Sequence, residues 1–371
     1  MSHSLKPFSL DLSRRESLFM RGFAIFCIIV HNFCHWMPDT VRENEATWFI
    51  DRPLDFIDRL VTLSPTLGYD IFSFLGWYPI AVFMFLTGYG LVRKYESDSA
   101  PEPFRPARFM FHNWLKLFRL ALSGVALFVV VQFAINLATG LSPLHNLRGP
   151  LFSITFLNDL IYNLLPPNPG VYWYFGLTLE FYLIYALLIK GKNRSMLFLT
   201  VVLSVILQIV ALPSDFNGQS QEFLLWIRKN ATGWMAVMAM GVWCARRASV
   251  PRSIAWCCII ASLLLFIPCM LNGVTWQLTP LFVVVLFLAL ARYSSRLPLW
   301  GAFWVWAGNL SAFLFVAHPA ARILVYASFD VETSPALALA VYLPLSVLLA
   351  YAARAINSRL RLGGNALLKR G

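Results

Sequence analysis

Two histidines four residues apart, His31 and His35, sit in an apolar stretch, residues 21–36, that Arg21 opens and no other charge interrupts. Four residues make about one helical turn, so both imidazoles lie on one helix face. The ten steps from Arg21 to His31 cover about 15 Å at about 1.5 Å per residue, roughly half the depth of a hydrocarbon core. Three chemistries suit such a pair. Metal ligation needs further ligands at a recognisable spacing, and the sequence around the pair offers none. A structural role near an interface suits His35, which stands beside Trp36. A reactive base suits His31, because imidazole is the side chain whose proton moves near neutral pH.

Few other ionisable groups fall inside apolar runs, where charge is costly and marks a bundle interior or a wet cavity. Lys116 and Arg119 stand three apart at the start of one run. They make either a compact anion site or an ordinary pair of side chains reaching lipid phosphates. Glu180 lies about nine residues into another run, and an unpaired carboxylate there would be expensive. It is therefore read as functional, or as paired with Arg or His. His318 precedes Pro319, which removes a helical N–H and invites a bend around a site; Arg322 follows on the same run.

The elements that position these groups are membrane helices. The chain has 371 residues, 58% hydrophobic, 15% aromatic and 13% charged, with a mean hydropathy of +0.65. Runs long enough to span occur at 18–36, 70–92, 115–137, 171–189, 195–212, 229–245, 254–272, 276–291, 301–327 and 335–353. This predicts an all-α polytopic bundle of about ten helices in one domain over 1–371. With both termini cytoplasmic, twenty of the thirty Lys and Arg residues fall on inner segments and six on outer ones. A further run at 150–165, which carries Asn158, Asp159 and Asn163, would spoil that asymmetry if it crossed. It is read as re-entrant or interfacial. The outer loop at 37–69 holds six acidic and three basic residues, and an amphipathic helix is expected there with Asp51 as N-cap.

The charge asymmetry accounts for the net charge of +12, so a nucleic-acid partner is not expected. The six cysteines all lie within apolar runs and read as membrane-helix residues rather than a disulfide or zinc framework. Arg14-Arg15 superficially matches a twin-arginine export signal, but Arg21 interrupts the apolar region behind it, and a retained first helix is expected. No internal repeat supports a transporter built from inverted halves.

Four features resemble the integral-membrane acyltransferase-3 family: Arg21-Gly22-Phe23-Ala24 followed by His31; Phe85-Leu86-Thr87-Gly88-Tyr89; the helix from Trp173 with Tyr174 and Glu180; and the late run from Ser311 to His318-Pro319. The family often has two arginines where Lys116 and Arg119 stand, and lysine keeps the charge but loses the bidentate fork. The resemblance implies an O-acyltransferase, for groups other than amino-acyl groups, in a bacterial inner membrane. It would move an acyl group, acetyl first, from cytoplasmic acyl-CoA (acetyl-CoA) to a hydroxyl of a surface polysaccharide or glycolipid sugar, with no metal. On that footing Arg21, Lys116 and Arg119 would hold the coenzyme's phosphates. His31 would act as base or acyl carrier and Glu180 as a second catalytic group, while His35, Tyr174 and His318 would shape the site. A carrier or flippase for a lipid-linked sugar is the alternative, and acetyl-CoA binding separates the two.

Overall fold

The computed structural model describes residues 7–97, 104–157, 169–191, 194–212 and 221–368, with side chains to residue 360. Fourteen α-helices carry the described chain: α1 Arg14–Cys34, α2 Asp51–Thr62, α3 Leu67–Leu75, α4 Ile80–Tyr95, α5 Pro106–Ala138, α6 Arg148–Ser153, α7 Trp173–Ile184, α8 Arg194–Val210, α9 Glu222–Lys229, α10 Met235–Arg246, α11 Arg252–Met270, α12 Thr279–Ser294, α13 Pro298–Ser328 and α14 Pro335–Leu368. The strands among the described residues are two short ones, β1 Phe8–Ser9 and β2 Ser249–Val250, paired antiparallel. Among the described residues eight helical stretches are long and apolar enough to cross a membrane, and α8 and α10 are shorter apolar helices. Together they fall on the ten runs marked by hydropathy, so the protein is an all-α polytopic membrane protein.

Two expectations are refined. The run at 70–92 is not one helix: α3 stops at Leu75 and α4 restarts at Ile80, across Gly76-Trp77-Tyr78-Pro79. Helix α2 is present, but Ile50 is its N-cap and makes no side-chain cap bond, which leaves Asp51 as the first helical residue. Of the run at 150–165, α6 forms the start, and residues 158–168 lie outside the described chain.

The chain divides into two compact units, the first built from Met1–His35, Thr40–Phe104 and Ile184–Asn309, the second from Trp36–Asp39, Arg105–Leu183 and Leu310–Gly371. In the first unit glycines set the helix crossings. A Cβ on Gly22 of α1 would strike the Trp304 carbonyl of α13, and one on Gly308 would strike Leu18 in return. Gly88 of α4 and Gly241 of α10 meet the facing backbones at Met238 and Phe85 in the same reciprocal way. Small residues let membrane helices approach closely, where dispersion replaces the hydrophobic drive.

The start of α1 is pinned. Ser13 and Glu16 form a capping box. The buried Glu16 pairs with Arg292 of α12 at 2.8 Å, and Arg15 donates to the Ser295 carbonyl at 2.7 Å. In the second unit α5 lies along α14. There Gly124 of α5 leaves room for Tyr172, whose hydroxyl donates to the Val316 carbonyl at 2.9 Å.

Candidate active site

The break between α3 and α4 builds the surroundings of His31. A helix end leaves its last carbonyls without helical donors, and Pro79 has no N–H to offer. One of those carbonyls, on Ser73, accepts from the His31 ring, with Nδ1 2.9 Å from the Ser73 oxygen. Donation from Nδ1 fixes the neutral tautomer and leaves the lone pair on Nε2. His31 itself is 4% exposed. Gly76 closes the approach, since a Cβ on it would stand 2.8 Å from the His31 Cβ and 2.9 Å from the Cys27 carbonyl oxygen.

A carboxylate at the first position of the 70–92 run supports the same corner. Asp70, fully buried, accepts from the Val41 N–H at 3.0 Å and from the Thr66 hydroxyl at 2.8 Å. Ser73 Oγ in turn donates to the Val41 carbonyl at 2.6 Å. These bonds tie the loop after α1 to α3, whose Ser73 carbonyl accepts from His31.

That loop delivers a group the sequence did not single out. Glu43 Oε2 lies 2.8 Å from His35 Nδ1, with the Glu43 side chain 5% exposed and that of His35 34%. The His31 and His35 rings are 5.3 Å apart, tilted by 31°. One donor atom from each of His31, His35 and Glu43 lies within 4.8 Å of the other two. Burial works against charge on Glu43, but the hydrogen bond from His35 and the facing His31 outweigh it and hold its pKa below the ordinary carboxylate value. Burial, with Glu43 beside it, pushes Glu45 the other way. The third ligand that a metal reading lacked is therefore present in type. The 2.8 Å contact, however, already places a proton between His35 and Glu43.

Arg21, also in the first unit, is exposed on α1, ten residues before His31. The remaining sequence-derived residues belong to the second unit. Lys116 is exposed and Arg119 half-buried, one turn apart on α5. Tyr174 and Glu180 lie on α7, both half-buried. Phe315 joins Tyr174 to His318, with ring centres 5.2 Å from the first and 6.2 Å from the second. His318 is fully buried and donates from Nδ1 to the Leu314 carbonyl at 3.0 Å, which places the lone pair on Nε2. One turn on, the Arg322 guanidinium lies 4.2 Å over the Trp36 ring.

Glu43, Asp70 and Ser73 escape sequence reasoning because no periodic spacing links them to His31. The acidic bias of residues 37–69 is the sole sequence signal that touches Glu43.

A family model described as an acyltransferase domain, Acyl_transf_3, matches residues 18–355. No curated protein and no solved structure matches the chain.

Proposed function

Since the match spans residues 18–355, the chain belongs to the acyltransferase-3 family and is a membrane acyltransferase, and from that premise we propose that it transfers acetyl from cytoplasmic acetyl-CoA to a hydroxyl of a cell-surface polysaccharide or glycolipid in a bacterial inner membrane. The observation that carries the reading is the His31 ring, buried and bonded through Nδ1 to the Ser73 carbonyl, with its lone pair on Nε2. A neutral imidazole in that tautomer can take a hydroxyl proton or accept the acyl group itself.

Lys116 and Arg119 are assigned the donor's phosphates, supported by two cations one turn apart on α5. Arg21 has the same duty on α1, supported by its charge and exposure. Glu180 is the second catalytic group, with Tyr174 and His318 shaping the acceptor's surroundings. The overall change is an ester exchange: the thioester C–S bond breaks, the acceptor C–O bond forms, and the acceptor's proton ends on the coenzyme's thiol.

The test is His31→Ala in a strain whose surface glycans are weighed by mass spectrometry. Loss of one acetyl per repeat, at normal levels of membrane protein, is expected. Unchanged acetylation would refute the assignment.

A further inference from the structure

The acceptor's proton needs a base it can reach. His31 is 4% exposed and its Nδ1 is bonded to a neutral carbonyl. His35 differs on both counts: its side chain is 34% exposed, and its Nδ1 is 2.8 Å from a buried carboxylate. A carboxylate at Nδ1 holds an imidazole in the tautomer whose Nε2 accepts a proton, and it stabilises the imidazolium that results. Resting on the acyltransferase reading above, we infer that His35 is the general base that takes the acceptor's hydroxyl proton, that Glu43 is the residue positioning it, and that His31 is left to meet the acyl group.

The step balances. The acceptor O–H bond breaks, its proton goes to His35 Nε2, and the oxygen bonds to the acyl carbon. The bond from that carbon to its leaving atom breaks: that atom is the thioester sulfur in direct transfer, or His31 Nε2 where that nitrogen has first bonded to the acyl carbon as the C–S bond broke and the thiolate left. The His35 imidazolium then returns the proton to the thiolate. The surroundings of Glu43 suit a fixed carboxylate. His31 faces it from α1 and His35 from the C-cap of that helix, Tyr78 from the turn before α4, and Glu45 from its own loop. Arg52 of α2 donates to its main-chain oxygen.

The experiment uses purified full-length protein in nanodiscs. Acetyl-CoA and the host's surface glycan, de-esterified by mild alkali, are the substrates, and thiol release and binding of labelled acetyl-CoA are both measured. Glu43→Gln and His35→Gln are expected to lower kcat at least about a hundredfold, the usual range for general-base loss, with acetyl-CoA binding unchanged. Glu43→Asp should recover part of the rate, and the Glu43→Gln/His35→Gln pair should be no slower than the slower single variant. If Glu43→Gln does not accumulate, Glu43→Asp and His35→Gln carry the same comparison. Near-native kcat in His35→Gln overturns the inference, as does a parallel loss of acetyl-CoA binding. One tightly held zinc per chain that depends on Glu43 also overturns it. Absence of glycan-dependent thiol release in the unsubstituted protein instead refutes the proposed function, and release retained in His31→Ala refutes the role of His31, which makes the failures separable.

Discussion

Gly76 faces His31 so closely that a Cβ added to it would stand 2.8 Å from the His31 Cβ. The same atom would meet the Phe72 carbonyl oxygen at 2.5 Å and that of Cys27 at 2.9 Å. Two of these three neighbours are backbone, which cannot rotate away. Gly76→Ala should therefore push α1 from the end of α3 and break the bond from His31 Nδ1 to Ser73. Overpacking of this kind costs about 1–3 kcal/mol. The expected outcome is a lowered melting temperature in detergent and acetylation reduced by tenfold or more. Native activity in Gly76→Ala would show that the contact does not set the histidine's position.

Asp70 tests the corner from the polar side. Its Oδ1 is the acceptor for the buried Val41 N–H, and its Oδ2 accepts from Thr66. Asp70→Ala removes both and leaves a buried donor unmet, a loss of about 1–3 kcal/mol. Hydrogen exchange at Val41 should speed up markedly, while amides at the α4–α10 crossing keep their protection. Unchanged exchange at Val41 would mean the loop is held by other bonds.

How far this corner could be read in the sequence follows from the range of each signal. Hydropathy is a sum over about twenty residues, so it finds all ten apolar helices and says nothing about a four-residue interruption. The gap from Gly76 to Pro79 therefore vanished into a run read as 70–92, although the carbonyl it exposes on Ser73 is what orients His31. His31 itself was legible because an imidazole deep in an apolar run stands out by type and place. Glu43 was not, because an acidic residue in an acidic loop looks like solvated charge until the loop folds back on α1. Asp51 shows the opposite error: a good capping residue at a helix start, displaced by one position because Ile50 already adopts helical angles.

The Glu43–His35 pair has a pH signature. The folded pKa of Glu43 lies below its ordinary value of 4.5. A depressed carboxylate contributes stability that is present above the unfolded pKa and is lost as pH falls through the folded one. Acidification below that ordinary value should release the loop after α1, read as faster exchange of its amides. In Glu43→Gln that acid-induced step should be smaller. An identical acid profile in the two proteins would remove Glu43 as its source. Glu45, shifted the other way by burial and by Glu43, should not produce the same step.

The assignment of Lys116 and Arg119 rests on spacing and charge, and kinetics can separate it from simple contact with lipid headgroups. Both lie on one turn of α5, Lys116 exposed and Arg119 half-buried. If they hold the donor's phosphates, each removed cation deletes charge-assisted hydrogen bonds worth about 1.5–3 kcal/mol in the bound state. Lys116→Ala and Arg119→Ala should then raise KM for acetyl-CoA by about tenfold or more, with kcat little changed because the reacting thioester lies at the far end of the coenzyme. Lys116→Arg restores a planar fork and should hold KM at or below its native value. The KM defect should also shrink for a donor without the nucleotide's phosphates, such as acetyl-pantetheine. A KM for acetyl-CoA that stays native in both alanine variants, alongside a changed lipid dependence of stability, would return the pair to the membrane surface. Because a residue that merely reaches lipid has no reason to distinguish acetyl-CoA from acetyl-pantetheine, the ratio of the two KM values decides between the roles even if both variants are less stable.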